Sequence, residues 1–171
     1  MSFRQACVAF ALVAALGAAP ALATATDQVA SVTRGGSFLF AGTIPMQFGF
    51  GAVRHSDGSA SGSFHHAYAA DGFSYEFWGR VTCLTYDALA GRAWIGGVLT
   101  NVATDDPTVT QKPGDDAWFR VLDAGVSGDR STAMGFVGVF PSSAAYCAAQ
   151  PWPDDNARTH PVTAGQISLN P

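Results

Sequence analysis

Two clusters in this sequence have residue types suited to chemistry. The first is His65-His66 in "GSFHHAYAA" (62–70), half of the four histidines in the chain. Imidazoles hold a metal when several nitrogens reach one ion at about 2 Å. Neighbours on a strand point to opposite faces, so His65 and His66 do not converge. A two-residue hairpin loop at Asp57-Gly58 would set His55 opposite Ala60 and His65 opposite Phe50, which separates His55 from His65 by roughly 17 Å. His160 lies beside Pro161 in a loop. No His-x-x-x-His, His-Glu-x-x-His or clustered Cys/His spacing occurs. The histidines therefore read as polar tips of a half-exposed strand, with no metal and no cofactor implied.

The second cluster is a repeated Trp-x-Arg spacing, Trp78-Gly79-Arg80 and Trp118-Phe119-Arg120, on two separate strand-like stretches. Within each, indole and guanidinium share a strand face, and Trp94 lies on the stretch between. Indole faces with arginine donors stack on and hydrogen-bond sugars, carboxylates or aromatic ligands. Trp78, Arg80, Trp94, Trp118 and Arg120, with Glu76 beside them, form the candidate ligand-binding surface. The competing reading is an exterior packing arrangement in which arginine stems cover indoles. The acidic pairs Asp105-Asp106, Asp115-Asp116 and Asp154-Asp155 sit beside proline or glycine without EF-hand order, and read as loop acids. Asp123 and Asp129 read as turn-shaping residues. No Gly-x-Ser-x-Gly elbow, Ser-x-x-Lys pair or phosphate-binding glycine loop is present, and no catalytic residue is assigned.

The elements that position these residues are strands. "SFLFAG", "QFGFGAVRH", "GSFHHAYA", "GFSYEFWGRVTCLTY", "RAWIGGVLTNV", "AWFRVLD", "TAMGFVGVF" and "GQISLN" are rich in aromatic and β-branched residues. Turn-formers separate them, among them Asp57-Gly58, Asp71-Gly72, Asp87 to Gly91 and Ser127-Gly128-Asp129. No convincing amphipathic helix appears outside the N-terminal segment. The pattern predicts an all-β fold, a small antiparallel barrel of about eight strands or alternatively a β-sandwich, either of which limits exposed edges. Glycines inside the strands, such as Gly79, Gly96 and Gly97, favour the barrel, where they mark bends and close backbone approach. Strict alternation along "FSYEFWGRVTCLTY" puts Phe73, Tyr75, Phe77, Val81 and Cys83 on the core face, with Glu76, Trp78, Arg80 and Tyr86 opposite.

"MSFRQ", then the apolar run "ACVAFALVAALGAA", Pro20 and Ala21-Leu22-Ala23 follow the layout of a secretory signal peptide over residues 1–23. The run is too short for a stable transmembrane helix. Residues 24–171 would then form a single secreted domain, extracellular or periplasmic. Cleavage would remove Arg4, one of nine basic side chains, against 13 acidic ones. That balance disfavours nucleic acid or anionic membrane as a partner. It would also remove Cys7 and leave Cys83 and Cys147, whose number and compartment predict one disulfide. The bridge closes a loop of about 64 residues, for which chain entropy allows about 4 kcal/mol.

The series "FGF" (48–50), "DGSASG" (57–62), "GRVTCL" (79–84), "AWIGGV" (93–98), "WFRVLDAGVSGD" (118–129) and "GQISL" (165–169) resembles a widespread β-domain of secreted bacterial proteins, often found near surface or adhesion modules. The resemblance covers about residues 35–170 and implies export and an all-β fold. It brings no activity and no catalytic residues. The chain departs from the pattern in the more aromatic "FHHAYAADGFSYEFW" and the Pro-rich "QPWPDDNARTHP". The sequence thus predicts an exported, non-catalytic binding or structural domain at or outside the cell surface, its partner a small molecule, a glycan or a surface protein. The alternative is a small cyclase- or isomerase-like barrel enzyme whose lumen supplies Tyr, Arg and Glu76.

Overall fold

The computed structural model describes residues 27–125, 128–136, 138–153, 156 and 158–171. The expected signal segment 1–23 and the pair Asp154-Asp155 lie outside the described residues. Five long strands follow one another: β1 (Gln28–Phe40), β2 (Ile44–His55), β3 (Ala60–Ala70), β4 (Phe73–Asp87) and β5 (Arg92–Thr104). After them come β6 (Asp116–Leu122), the two-residue β7 (Arg130–Ser131) and β8 (Gly135–Phe136), the helix α1 (Ser143–Ala149) and β9 (His160–Asn170). The pairing order β5-β4-β3-β2-β1-β9-β7-β6, with β6 returning to β5, closes a ring of eight antiparallel strands, and β8 hangs on β6. This is the barrel rather than the sandwich.

Turn chemistry fixes much of the register. Asp71 and Gly72 both have positive φ, 53° and 84°, the primed two-residue turn that Asp-Gly favours. The Asp57-Gly58 connection is longer than expected. His55 N–H donates to Ser59 O at 2.9 Å, and Asp57 Oδ1 accepts from Ser59 N at 2.9 Å. Arg54 therefore faces Ala60, and His65 faces Gly49 rather than Phe50.

The lumen is filled. Phe119 meets Phe50, Phe64 and His66 at ring-centroid distances of 5.3, 5.8 and 4.9 Å, and Phe48 stacks beside Phe50 at 6.1 Å. Val32, Val81, Ile95, Leu99 and Ile167 close around them. Each fully buried ring of this size is worth about 1.5–3 kcal/mol relative to exposure. His66 is fully buried among them, with neither ring nitrogen hydrogen-bonded among the described residues. Desolvation, aided by the charge of His65, pushes its pKa down to about 3.

Three expectations change. Pairing of β4 with β5 slips at Trp78/Gly79 and again at Val81/Cys83. The extra residue is Thr100 of β5 at the first slip and Thr82 of β4 at the second, and each reverses the side-chain alternation beyond it on its own strand. Tyr75, Phe77 and Val81 point inward as expected, but beyond the second slip Leu84 and Tyr86 pack on the core, and Cys83 joins a second cluster on the outer wall. Phe73, at the start of the strand, is exposed. The stretch "TAMGFVGVF" supplies only the two strand residues of β8, and Val137 lies outside the described residues. The unexpected element is α1, capped by the Ser142 side chain, which accepts from Ala145 N at 3.1 Å. Aspartates complete the seam where β7 is too short to serve β9. Asp129 accepts from Ile167 N at 2.6 Å and Ala124 N at 3.0 Å, and Asp123 accepts from Leu169 N at 2.9 Å.

Candidate functional site

The outer wall of β5 and β6 carries Trp94, Trp118 and Arg120, all buried because α1 and the segment after it lie across them. Alternation explains the placement: Ile95, Phe119 and Val121 face the lumen, so Trp94, Trp118 and Arg120 face out. Gly96 lets the helix come close. A Cβ there would sit 2.7 Å from Cys83 Sγ and 2.9 Å from Ser143 Cβ. The expected Cys83–Cys147 disulfide is formed, with Cα atoms 6.3 Å apart, and it joins α1 to the wall. Asp116 supports the same joint by accepting from Ser143 N at 2.8 Å.

The aromatic groups on this wall are ordered against one another. Trp118 stacks on Tyr146 of α1 with centroids 5.6 Å apart, and Phe140 meets both rings edge-on at 6.0 and 5.3 Å. Trp94 donates its indole N–H to Pro151 O at 2.9 Å and meets Trp152 edge-on at 5.7 Å. The guanidinium carbons of Arg92 and Arg120 lie 4.8 and 5.4 Å from the Trp152 ring centre. Further along, Trp152 Nε1 donates to Asn156 Oδ1 at 2.9 Å, and Arg130 Nε donates to Thr159 Oγ1 at 2.7 Å. The Pro-rich strap is thus pinned to the barrel at several points.

Between strap, helix and wall lies a cleft of about 750 Å³, within the usual size range of small-molecule sites. Its walls are mainly apolar, with Trp118, Phe136, Phe140 and Trp152 prominent, and its polar groups include Arg120, Thr132, Gln150 and Arg158. Phe40 and His160 lie at one end of it, and His160 stacks on Phe38 with centroids 5.4 Å apart. Burial lowers the His160 pKa, with the Arg130 charge acting the same way. Burial also raises the Tyr146 phenol to about 12, against the opposing influence of Arg120, so it remains a protonated donor.

The remaining candidates lie elsewhere. Gly96 pairs with Cys83 on one side and with Trp118 on the other, so Trp118 is aligned with Cys83 and not with Trp78. Trp94 pairs with Thr85 on β4, well along that strand from Trp78 at roughly 3.3 Å per residue. Trp78 stacks instead on His65 at 4.9 Å, Glu76 Oε2 lies 3.6 Å from His65 Nε2, and Arg80 is exposed. The six residues expected to form one surface are thus two groups on different parts of the outer wall. The register of β4, β5 and β6 separates them even though both Trp-x-Arg pairs point outward.

Glu76 faces solvent and not the lumen, which the core side chains fill. Among the described residues no three His, Cys, Asp or Glu side chains converge on a metal position. His55 instead contacts Ser61 Oγ at 2.8 Å, while Asp105 and Asp106 bond Ser74, Thr108 and Tyr75. Sequence reasoning missed Tyr146, Phe140 and Trp152. The one available signal was the Pro-rich interruption around Trp152. No protein-family model, curated protein or solved structure matches the chain.

Proposed function

We propose that residues 24–171 act as an exported, non-catalytic binding domain whose recognition site is the aromatic cleft on the outer wall of the barrel. One observation carries this reading. The barrel interior is occupied by its own side chains, whereas Trp118, Phe140, Tyr146 and Trp152 line an open volume that the barrel does not need for its own core. Export is supported by the N-terminal sequence pattern and by a disulfide of the kind that persists in oxidising compartments. No helix among the described residues is long and apolar enough to cross a membrane. A small molecule suits a cleft of this volume better than a protein partner, which needs an interface near 800 Å² a side.

Amide chemical-shift mapping with a library of aromatic fragments tests the reading. Shifts should concentrate on Thr132–Phe136 and Phe140–Trp152. Shifts confined to the Trp78–His65 face, or none from any fragment, would refute it. The cleft also serves a second reading, a small-molecule enzyme, because the Tyr146 phenol stays a proton donor near Arg120. Conversion of a bound ligand, followed in the same spectra, would favour that reading.

A further inference from the structure

Arg120 is 7% exposed, yet its Nε and Nη2 have no hydrogen-bond partner among the described residues. Among those residues it also makes no ion pair. The Trp152 ring and the Tyr146 hydroxyl lie against the guanidinium, but a buried charge without a counterion is still costly. Nε and Nη2 are enclosed by protein, and Arg120 meets the cleft it lines with the rest of its guanidinium, a planar cation whose N–H donors suit a carboxylate.

The electrostatic setting agrees. The chain carries a formal charge of -4 and nine basic side chains, but Arg120 and Arg158 line this cleft, Arg92 lies over its Trp152 wall, and Arg130 anchors Thr159 behind it. None of the described lining residues is acidic. Gly135 adds shape, since a Cβ there would lie 2.6 Å from the Trp118 indole nitrogen. The indole therefore occupies ground that any larger residue would take.

We infer that the cleft binds a monocarboxylate with a flat apolar body. The carboxylate pairs with the guanidinium of Arg120, a lining residue of the cleft, and the body lies among Trp118, Phe136, Phe140 and Trp152. This assignment rests on the binding reading above and names its ligand class. Arg120 is the residue that sets the charge preference, and the aromatic walls supply contact area for any body of suitable shape.

Calorimetric titration of the oxidised, mature protein at pH 7 with 2-naphthoate and with 2-naphthalenemethanol separates the two levels. The expected result is naphthoate binding at least tenfold tighter than the alcohol. Arg120→Gln should weaken naphthoate at least tenfold while leaving the alcohol within about twofold. Should Arg120→Gln not fold, Val139→Glu supplies the test from an exposed position on the lining, and should weaken naphthoate selectively. Equal affinity for acid and alcohol, or a preference that survives the charge variants, overturns the carboxylate assignment and leaves the binding reading standing. Binding of neither probe overturns both. An Asp154→Asn, Asp155→Asn protein that gains tenfold or more in naphthoate affinity would show that the chain supplies its own counterion, which also overturns the assignment.

Discussion

Replacing His66 with leucine should make the protein less sensitive to acid, and the size of the effect follows from the burial of one imidazole. The ring is fully buried against Phe48 and Phe119, both nitrogens lack partners among the described residues, and its native pKa is near 3 instead of 6.5. A folded-state pKa below the unfolded one means that the unfolded chain takes up the proton first as pH falls. The contribution to stability is therefore intact above about pH 6.5 and is lost as pH falls toward 3, at about 1.4 kcal/mol per pH unit. Between pH 7 and pH 4.5 the wild-type protein should lose about 2.5 kcal/mol from this residue alone. Burial of His160 depresses its pKa in both proteins, and the lowered carboxyls of Asp57, Asp105 and Asp106 add their own losses at lower pH, again in both. The diagnostic quantity is thus the difference between wild type and His66→Leu. At pH 7 the variant should be equal or more stable by about 1–3 kcal/mol, because an unpaired polar group leaves the core. Urea unfolding followed by tryptophan fluorescence at pH 7, 5.5 and 4.5 measures both numbers. Parallel pH dependence in the two proteins would refute the reasoning, as would a variant that is several kcal/mol weaker at neutral pH.

Reduction of Cys83–Cys147 should lower stability by about 2–4 kcal/mol, but first release α1 from the wall. Tyr146 and Trp94 signals should change while amide protection in β1–β4 persists, and simultaneous loss of all protection would contradict this. Gly96→Val should cost about 1–3 kcal/mol by forcing the helix outward, measured by the same urea titration; a neutral effect would refute the close approach of helix and wall. Trp118→Ala should abolish aromatic fragment binding to the cleft and His65→Ala should leave it unchanged, as read by calorimetry. An exported product should begin at Thr24, or at Thr26 where cleavage follows the equally small Ala25, by intact mass, and a full-length intracellular product would count against export.

The barrel was legible because its signals are local. Asp71-Gly72 demands a tight turn whatever surrounds it, and the period-2 runs around Tyr75, Phe77 and Val81 keep one face apolar. The disulfide was legible from cysteine number alone. What could not be read was the consequence of the slip at Thr82 in β4: it leaves no mark in residue type, yet it turns Cys83 outward and Tyr86 inward. The same limit applies to the site. Trp94, Trp118 and Arg120 were identified from spacing, but whether Trp78 joined them depended on register across three strands. The cover over them comes from a seven-residue helix and a strap with little periodicity. Such a helix lacks enough turns to show an amphipathic pattern.

Pairing of β1 with β9 brings Ser31 opposite Asn170, so both ends of the described chain leave from the same rim. Phe40 and His160, at the other ends of these two strands, border the cleft. The 13 residues of β1 put roughly 40 Å of strand between the two rims. A tether, fusion partner or immobilising tag joined at either terminus would hold the barrel by its base and present the cleft outward, and a circular permutant joining Asp27 to Pro171 would need only a short linker.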